Sequence, residues 1–208
     1  MNTHSPPRDW RRIALLLVAT TQVYNVLEGA IALGAAVAAD SIALLGFGLD
    51  SLIECAAAAV MLWHLRVAAM GRAAAEIEQR ERRVHRFVGA TLLLLAIYVA
   101  GEAGWSLWRR EAAAESIVGI CLATASLLIM PPVAWGKLRA AREVGSRALA
   151  AEAKETLACS YLSLCLLAGL VANGVAGWWW ADPAAALLMI PWLVHEGLEG
   201  FTEEVEAG

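Results

Sequence analysis

Across 208 residues the chain is 60% hydrophobic and 17% charged, with a mean hydropathy of +0.59. So apolar a composition is foreign to a soluble domain of this length, so an integral membrane protein is expected, and no nucleic-acid footprint is present. The formal net charge of -4 does not mark an acidic surface, because the sign of charge changes by segment and several acids lie inside apolar runs.

Bilayer geometry sets the element lengths. A hydrocarbon core of roughly 30 Å needs about 20 helical residues, and stretches near 11–38, 41–66, 84–108, 114–135, 148–178 and 183–200 meet or approach that length. An all-α, polytopic six-helix bundle follows. Residues 1–10 are then an N-terminal tail, 11–200 the transmembrane domain and 201–208 a short acidic tail. The opening MNTHSPPRDWRR runs directly into a span too long for a signal-peptide core and lacks a small-residue cleavage site, so it reads as an uncleaved first helix.

Within the first span, YNVLEGA places Asn25 and Glu28 one turn apart, as pathway groups, as support for them or as an interhelical hydrogen-bond pair. Asp40-Ser41 reads as the cap of the second span, making the first two spans a tight hairpin. The connection RVAAMGRAAAEIEQRERRVHR, with its mixed charges, reads as a helical extension in water or at the lipid surface. Glu102, toward the outer end of the third span, is expected to snorkel. Met130-Pro131-Pro132 is expected to kink the fourth span, since proline lacks the backbone donor and crowds the preceding turn. In the fifth span Asn173 beside Gly174 reads as structural, at a bend; Trp178, Trp179 and Trp180 followed by Asp182-Pro183 read as an interfacial belt and a turn. Gly29, Gly34, Gly46 and Gly48 permit close helix approach, while His64, His85 and His195, the last near Glu196 and Glu199, read as interfacial. The cysteines, Cys55, Cys121, Cys159 and Cys165, lie in apolar runs without CxxC spacing and are expected to be reduced thiols.

Orientation follows from basic residues, which stay on the cytoplasmic side of short loops. Arg8, Arg11 and Arg12 flank the first span; Arg66, Arg72, Arg80, Arg82, Arg83 and Arg86 fill the second-to-third connection; Lys137, Arg139, Arg142 and Arg147 fill the fourth-to-fifth. Only Arg109 and Arg110 lie opposite, so both termini are expected in the cytoplasm, in a plasma (inner) membrane of bacterial type.

The stretch GFGLDSLIEC carries Asp50 and Glu54 inside an apolar run, where each charge costs about 3 kcal/mol on insertion scales. Four residues apart on a helix, they share one face about a turn from each other, which suits joint grasp of a cation. Sharing of a proton and pairing with a basic residue remain open, Lys154 being the basic residue nearest the middle of a span. In AAEAKETLACSYLS, Glu155 and Cys159 repeat the spacing. Carboxylates and a thiolate brought together from two facing helices give the donor set of a four-coordinate site, the geometry zinc prefers. Counted from the outer ends, Asp50 comes early in its helix and Cys159 late, so a tilt or a break near Asn173-Gly174 is needed to bring the pairs level.

The segment SIALLGFGLDSLIECAAAAV resembles the second transmembrane helix of the cation diffusion facilitator (cation efflux) family, with Asp50 and Glu54 on its ligand positions. AEAKETLACSYLS followed by WWWADPAAALLM resembles the family's fifth helix and the start of its sixth, with Glu155 and Cys159 on the second ligand pair. The resemblance implies a divalent-cation exporter, not an enzyme, that exchanges metal for protons by alternating access. Zinc leads because one soft thiolate among hard oxygens suits a borderline ion, with Fe2+, Co2+, Cd2+ and Mn2+ behind it. The chain ends in HEGLEGFTEEVEAG, too short for the family's usual cytoplasmic metal-binding domain, and the second-to-third connection lacks a histidine-rich run. A short, transmembrane-only branch is therefore expected, with a homodimer held by transmembrane packing by analogy. The competing readings are a nontransporting metal-binding or regulatory membrane subunit and a proton-linked organic-cation carrier.

Overall fold

The computed structural model describes residues 10–69, 74–110, 113–145 and 147–202, without the side chains of residues 11, 57, 58, 60–85, 147, 148, 151, 200 and 202. His64, His85 and most of both tails therefore lie outside the described side chains or residues. The described chain forms α1 (Trp10–Ala39), α2 (Ile42–Ala69), α3 (Ala74–Arg109), α4 (Ile117–Val144), α5 (Arg147–Ala176) and α6 (Ala181–Thr202), with no strand among the described residues. Among the described residues, stretches of α1, α3, α4 and α5 are long and apolar enough, by length and composition, to cross a membrane.

The helices close into a ring. Each packs on its neighbours in the order α1, α2, α3, α6, α5, α4 and back to α1, while α2 also reaches across the ring to α6 and α5. That puts α2 and α5 toward the middle. Side-chain spacing explains the packing: on α4 the buried positions Gly119, Ala123, Ser126, Met130, Ala134, Lys137 and Ala141 follow one another at three and four residues, a single stripe turned inward. On the outside, Leu16, Leu27, Leu94, Ile97, Leu128 and Leu188 are exposed, as lipid-facing side chains are.

Small residues let the backbones approach. A Cβ on Gly29 would meet Leu52 and the Gly48 carbonyl, and one on Gly48 would meet Ala32 and Leu33, which ties α1 closely to α2. Gly46 has only ordinary contact and Gly34 opens onto space, so these two do not tighten the packing. The tightest approach is at Gly169, where a Cβ would stand 2.5 Å from that of Ala185 on α6.

Asp40 and Ser41 do make the turn into α2, and the cap has a second half from far along the chain. Asp40 takes a positive φ of 51°, and the Ser41 hydroxyl accepts a hydrogen bond from the Leu44 amide at 3.1 Å. Asp182, at the start of α6, accepts from the Ser41 hydroxyl through Oδ1 and from the Ile42 amide through Oδ2 at 2.9 Å. One carboxylate thus satisfies the first turn of another helix, where orphan amides and the positive end of the helix dipole meet. Asp182 is 1% exposed, so the bonds are sheltered from water. Asp182→Ala is expected to destabilise the bundle by about 2 kcal/mol, read as a lowered thermal unfolding midpoint in detergent. A native midpoint in that variant would show that water or Ser41 alone suffices at the cap.

α4 continues through Pro131 and Pro132 without interruption, and α5 continues through Asn173 and Gly174. The Asn173 side-chain amide donates to the Ala113 carbonyl at 2.7 Å, tying α5 to the segment before α4. α5 ends at Gly177, whose φ of +64° suits glycine, and the stacked rings of Trp178 and Trp180 follow at 5.2 Å.

Candidate metal centre

α1 presents Thr21, Asn25, Glu28, Ala32 and Ala36 inward, a buried stripe at three and four residues in which two members carry amide or acid groups. α2 contributes Asp50, 4% exposed, with Ser51 and Cys55 buried beside it and Glu54 half-buried one turn on. α5 contributes Cys159, 1% exposed, and half-buried Glu155 one turn before it.

These side chains meet in two couples. The Asn25 amide donates to Glu54 Oε2 at 3.4 Å, joining α1 to α2. The Cys159 thiol donates to Glu28 Oε2 at 3.7 Å, joining α5 to α1, and Ser126 of α4 stands 3.9 Å from the same sulfur. Around the couples, Asp50, Glu54, Glu28 and Cys159 lie within Coulombic reach of one another, and Glu155 and Glu196 add to the same field. Acidic side chains and a thiol are thus gathered in the middle of an apolar bundle, where they can exchange protons for a cation. No three His, Cys, Asp or Glu side chains converge tightly enough to hold one ion among the described residues. Asp50, Glu54, Glu155 and Cys159 are neighbours rather than a closed cage, because α2 and α5 touch over a small area and α1 holds the facing groups of each.

Cys159 stands beside Glu28 of α1, on an α5 that continues without a break through Asn173 and Gly174.

Lys154 is exposed and is not a buried partner for these acids. A buried cation does lie nearby: Lys137, which charge counting assigns to the fourth-to-fifth connection, lies inside α4 at 1% exposure. Its Nζ donates to Glu152 Oε1 at 3.2 Å and to Thr156 Oγ1 at 3.0 Å, both on α5, and its charge reaches Glu155. The signal was present in the sequence. Lys137 continues the inward stripe of α4 three residues after Ala134 and four before Ala141, a position a loop residue would not hold. Elsewhere Glu102 is exposed, and His195 pairs with Glu199 at 3.2 Å on an exposed face of α6.

Residues 18–206 match the model of the cation efflux transmembrane domain. An uncharacterized transporter of Synechocystis sp. is 29% identical over 159 residues, which cover 74% of this chain and 51% of that protein. The chain spans about half the length of the curated relative it matches. Members of the matched family move metal cations through the membrane and are not enzymes. With buried acids and a thiol gathered between its helices and the family domain running over nearly its whole length, the chain belongs to the cation efflux family.

Proposed function

We propose that this chain exports a divalent metal ion in exchange for protons by alternating access, with zinc as its first substrate and Fe2+, Co2+, Cd2+ and Mn2+ as alternatives. The observation that carries the reading is the contact of buried Glu28 with the buried Cys159 thiol, with Asp50 and the Asn25–Glu54 couple on the neighbouring helices. Carboxylates and thiols bind metal only when deprotonated, so protons and metal compete for the same atoms and an opposing proton gradient drives release. A single sulfur among oxygens favours a borderline ion, whereas magnesium and calcium prefer oxygen alone. Asp50, Glu54, Glu155 and Cys159 are the proposed ligands in the course of transport, drawn together as the helices rock. Asn25 and Glu28 support them or share in the path, as the couples to Glu54 and Cys159 suggest. Exposed Lys154 keeps no part in this proposal.

The basic residues of alternate connections support cytoplasmic termini in an inner membrane, and the family analogy supports a homodimer through transmembrane packing. Zinc flux into proteoliposomes, with and without an imposed pH gradient, tests the transport reading. Gradient-driven flux is expected in the native protein and its loss in Asp50→Asn. Binding of zinc without flux across a panel of divalent metals would instead leave a nontransporting metal-binding subunit.

A further inference from the structure

Helix α1 lies outside the two ligand pairs on α2 and α5, yet it holds the least satisfied polar atoms of the centre. Glu28 is 1% exposed and Asn25 is 5% exposed. Glu28 Oε2 accepts from Cys159, and the Asn25 amide nitrogen donates to Glu54. The remaining oxygens, Glu28 Oε1 and Asn25 Oδ1, are buried with no hydrogen-bond partner among the described residues. Tyr24, Ser51 and Ser126 stand around the Glu28 carboxyl, but none meets Oε1 in hydrogen-bonding geometry. Buried polar atoms are nearly always paired, because leaving one unpaired costs about 1–3 kcal/mol. Two such oxygens three residues apart on one helix face, beside a thiol, form a ready set of donors for a cation.

Distance supports the same conclusion. A zinc ion held tetrahedrally, at about 2.3 Å from sulfur and about 2.1 Å from oxygen, sets the two donors about 3.6 Å apart. Cys159 Sγ and Glu28 Oε2 stand 3.7 Å apart. The gap between α1 and α5 therefore takes an ion without the helices having to close further.

We propose that α1 supplies cation ligands: Glu28, with Asn25 beside it, forms with Cys159 a subsite for a thiophilic divalent cation between α1 and α5. This rests on the transport reading above and adds a helix to its site. Cys159 then serves two positions, one with Glu28 and one with Glu54 and Asp50, and Asn25, bonded to Glu54, links them. Two adjoining positions that share a ligand suit an ion that is handed on rather than stored.

Cadmium binding to the purified full chain in detergent tests this, followed by titration calorimetry and by the ultraviolet thiolate-to-cadmium absorption, which reports sulfur ligation directly. Glu28→Gln keeps the shape and removes the charge, and it is expected to weaken Cd2+ binding at least about tenfold and to reduce the thiolate band at limiting Cd2+. Glu28→Asp, which keeps a carboxylate, recovers part of both. Native affinity and a native band in Glu28→Gln, with weakened binding in Asp50→Asn, would overturn the α1 subsite and leave the transport reading standing. A native protein that binds neither Cd2+ nor Zn2+ would overturn both. If Glu28→Gln does not fold, Asn25→Ala decides: a comparable weakening supports the subsite and native affinity overturns it.

Discussion

Lys137→Met loses about 3 kcal/mol of stability, while Lys137→Met combined with Glu152→Gln regains most of it. The single substitution removes an ammonium that is 1% exposed and leaves Glu152, 13% exposed, facing Thr156 inside the bundle without its partner. A buried pair costs more to break than to replace, because the surviving charge has lost both water and its counterion. The double variant substitutes an apolar side chain and a neutral amide of similar volume, so no uncompensated charge remains. Unfolding in detergent, followed by heat or by a denaturing detergent, measures both. A single variant as stable as the double would mean that Glu152 finds water or another partner. The same pair lies one turn from Glu155, so its loss also changes the field around that carboxyl.

Cys159→Ser shifts the order of metals rather than abolishing transport. A hydroxyl keeps the hydrogen-bonding role toward Glu28 but is a hard, weakly acidic donor, while Cys159 offers the sulfur that soft ions prefer. Cadmium and zinc affinity are expected to fall on the order of a hundredfold, at the upper end of what a change even one shell out produces. Manganese, which takes oxygen readily, is expected to change by less than about tenfold. Competition among the three metals for binding, and then for flux, reads this out. Equal losses for all three would mean that Cys159 packs the bundle and does not hold the ion.

The six helices were legible because bilayer thickness forces long apolar runs, and the sequence-based spans fall within several residues of the observed helices at most ends. The larger differences lie at the start of α3 and the end of α4, which continue well past the apolar stretch. There hydropathy stops but helix propensity and packing do not. That is why Lys137 reads as a loop residue by charge counting and is found under α5.

Asp50, Glu54, Glu155 and Cys159 stand out in the sequence as candidates by spacing and by the expense of charge in lipid. Which of them touch is not legible there, since that depends on the order of helices around the ring. Glu28 stood out as a costly acid in the first span, but only the fold reveals that Cys159 donates to it. Asp182 illustrates the same limit. Beside Pro183 it reads as a turn, and its second use needs Ser41 and Ile42, some 140 residues earlier in the chain, to be brought against it.

The carboxylate at that corner also constrains which parts of the bundle can slide. Parting α2 from α6 at this end would strip the Ile42 amide and the Ser41 hydroxyl of their acceptor and leave Asp182 an uncapped buried anion. A swing that carries both helices as one body avoids that loss. The slack contact is then the small one that α2 makes across the ring with α5, with α1 bridging the two through Asn25 and Glu28. An ion in transit would sit on the line along which the two halves shear.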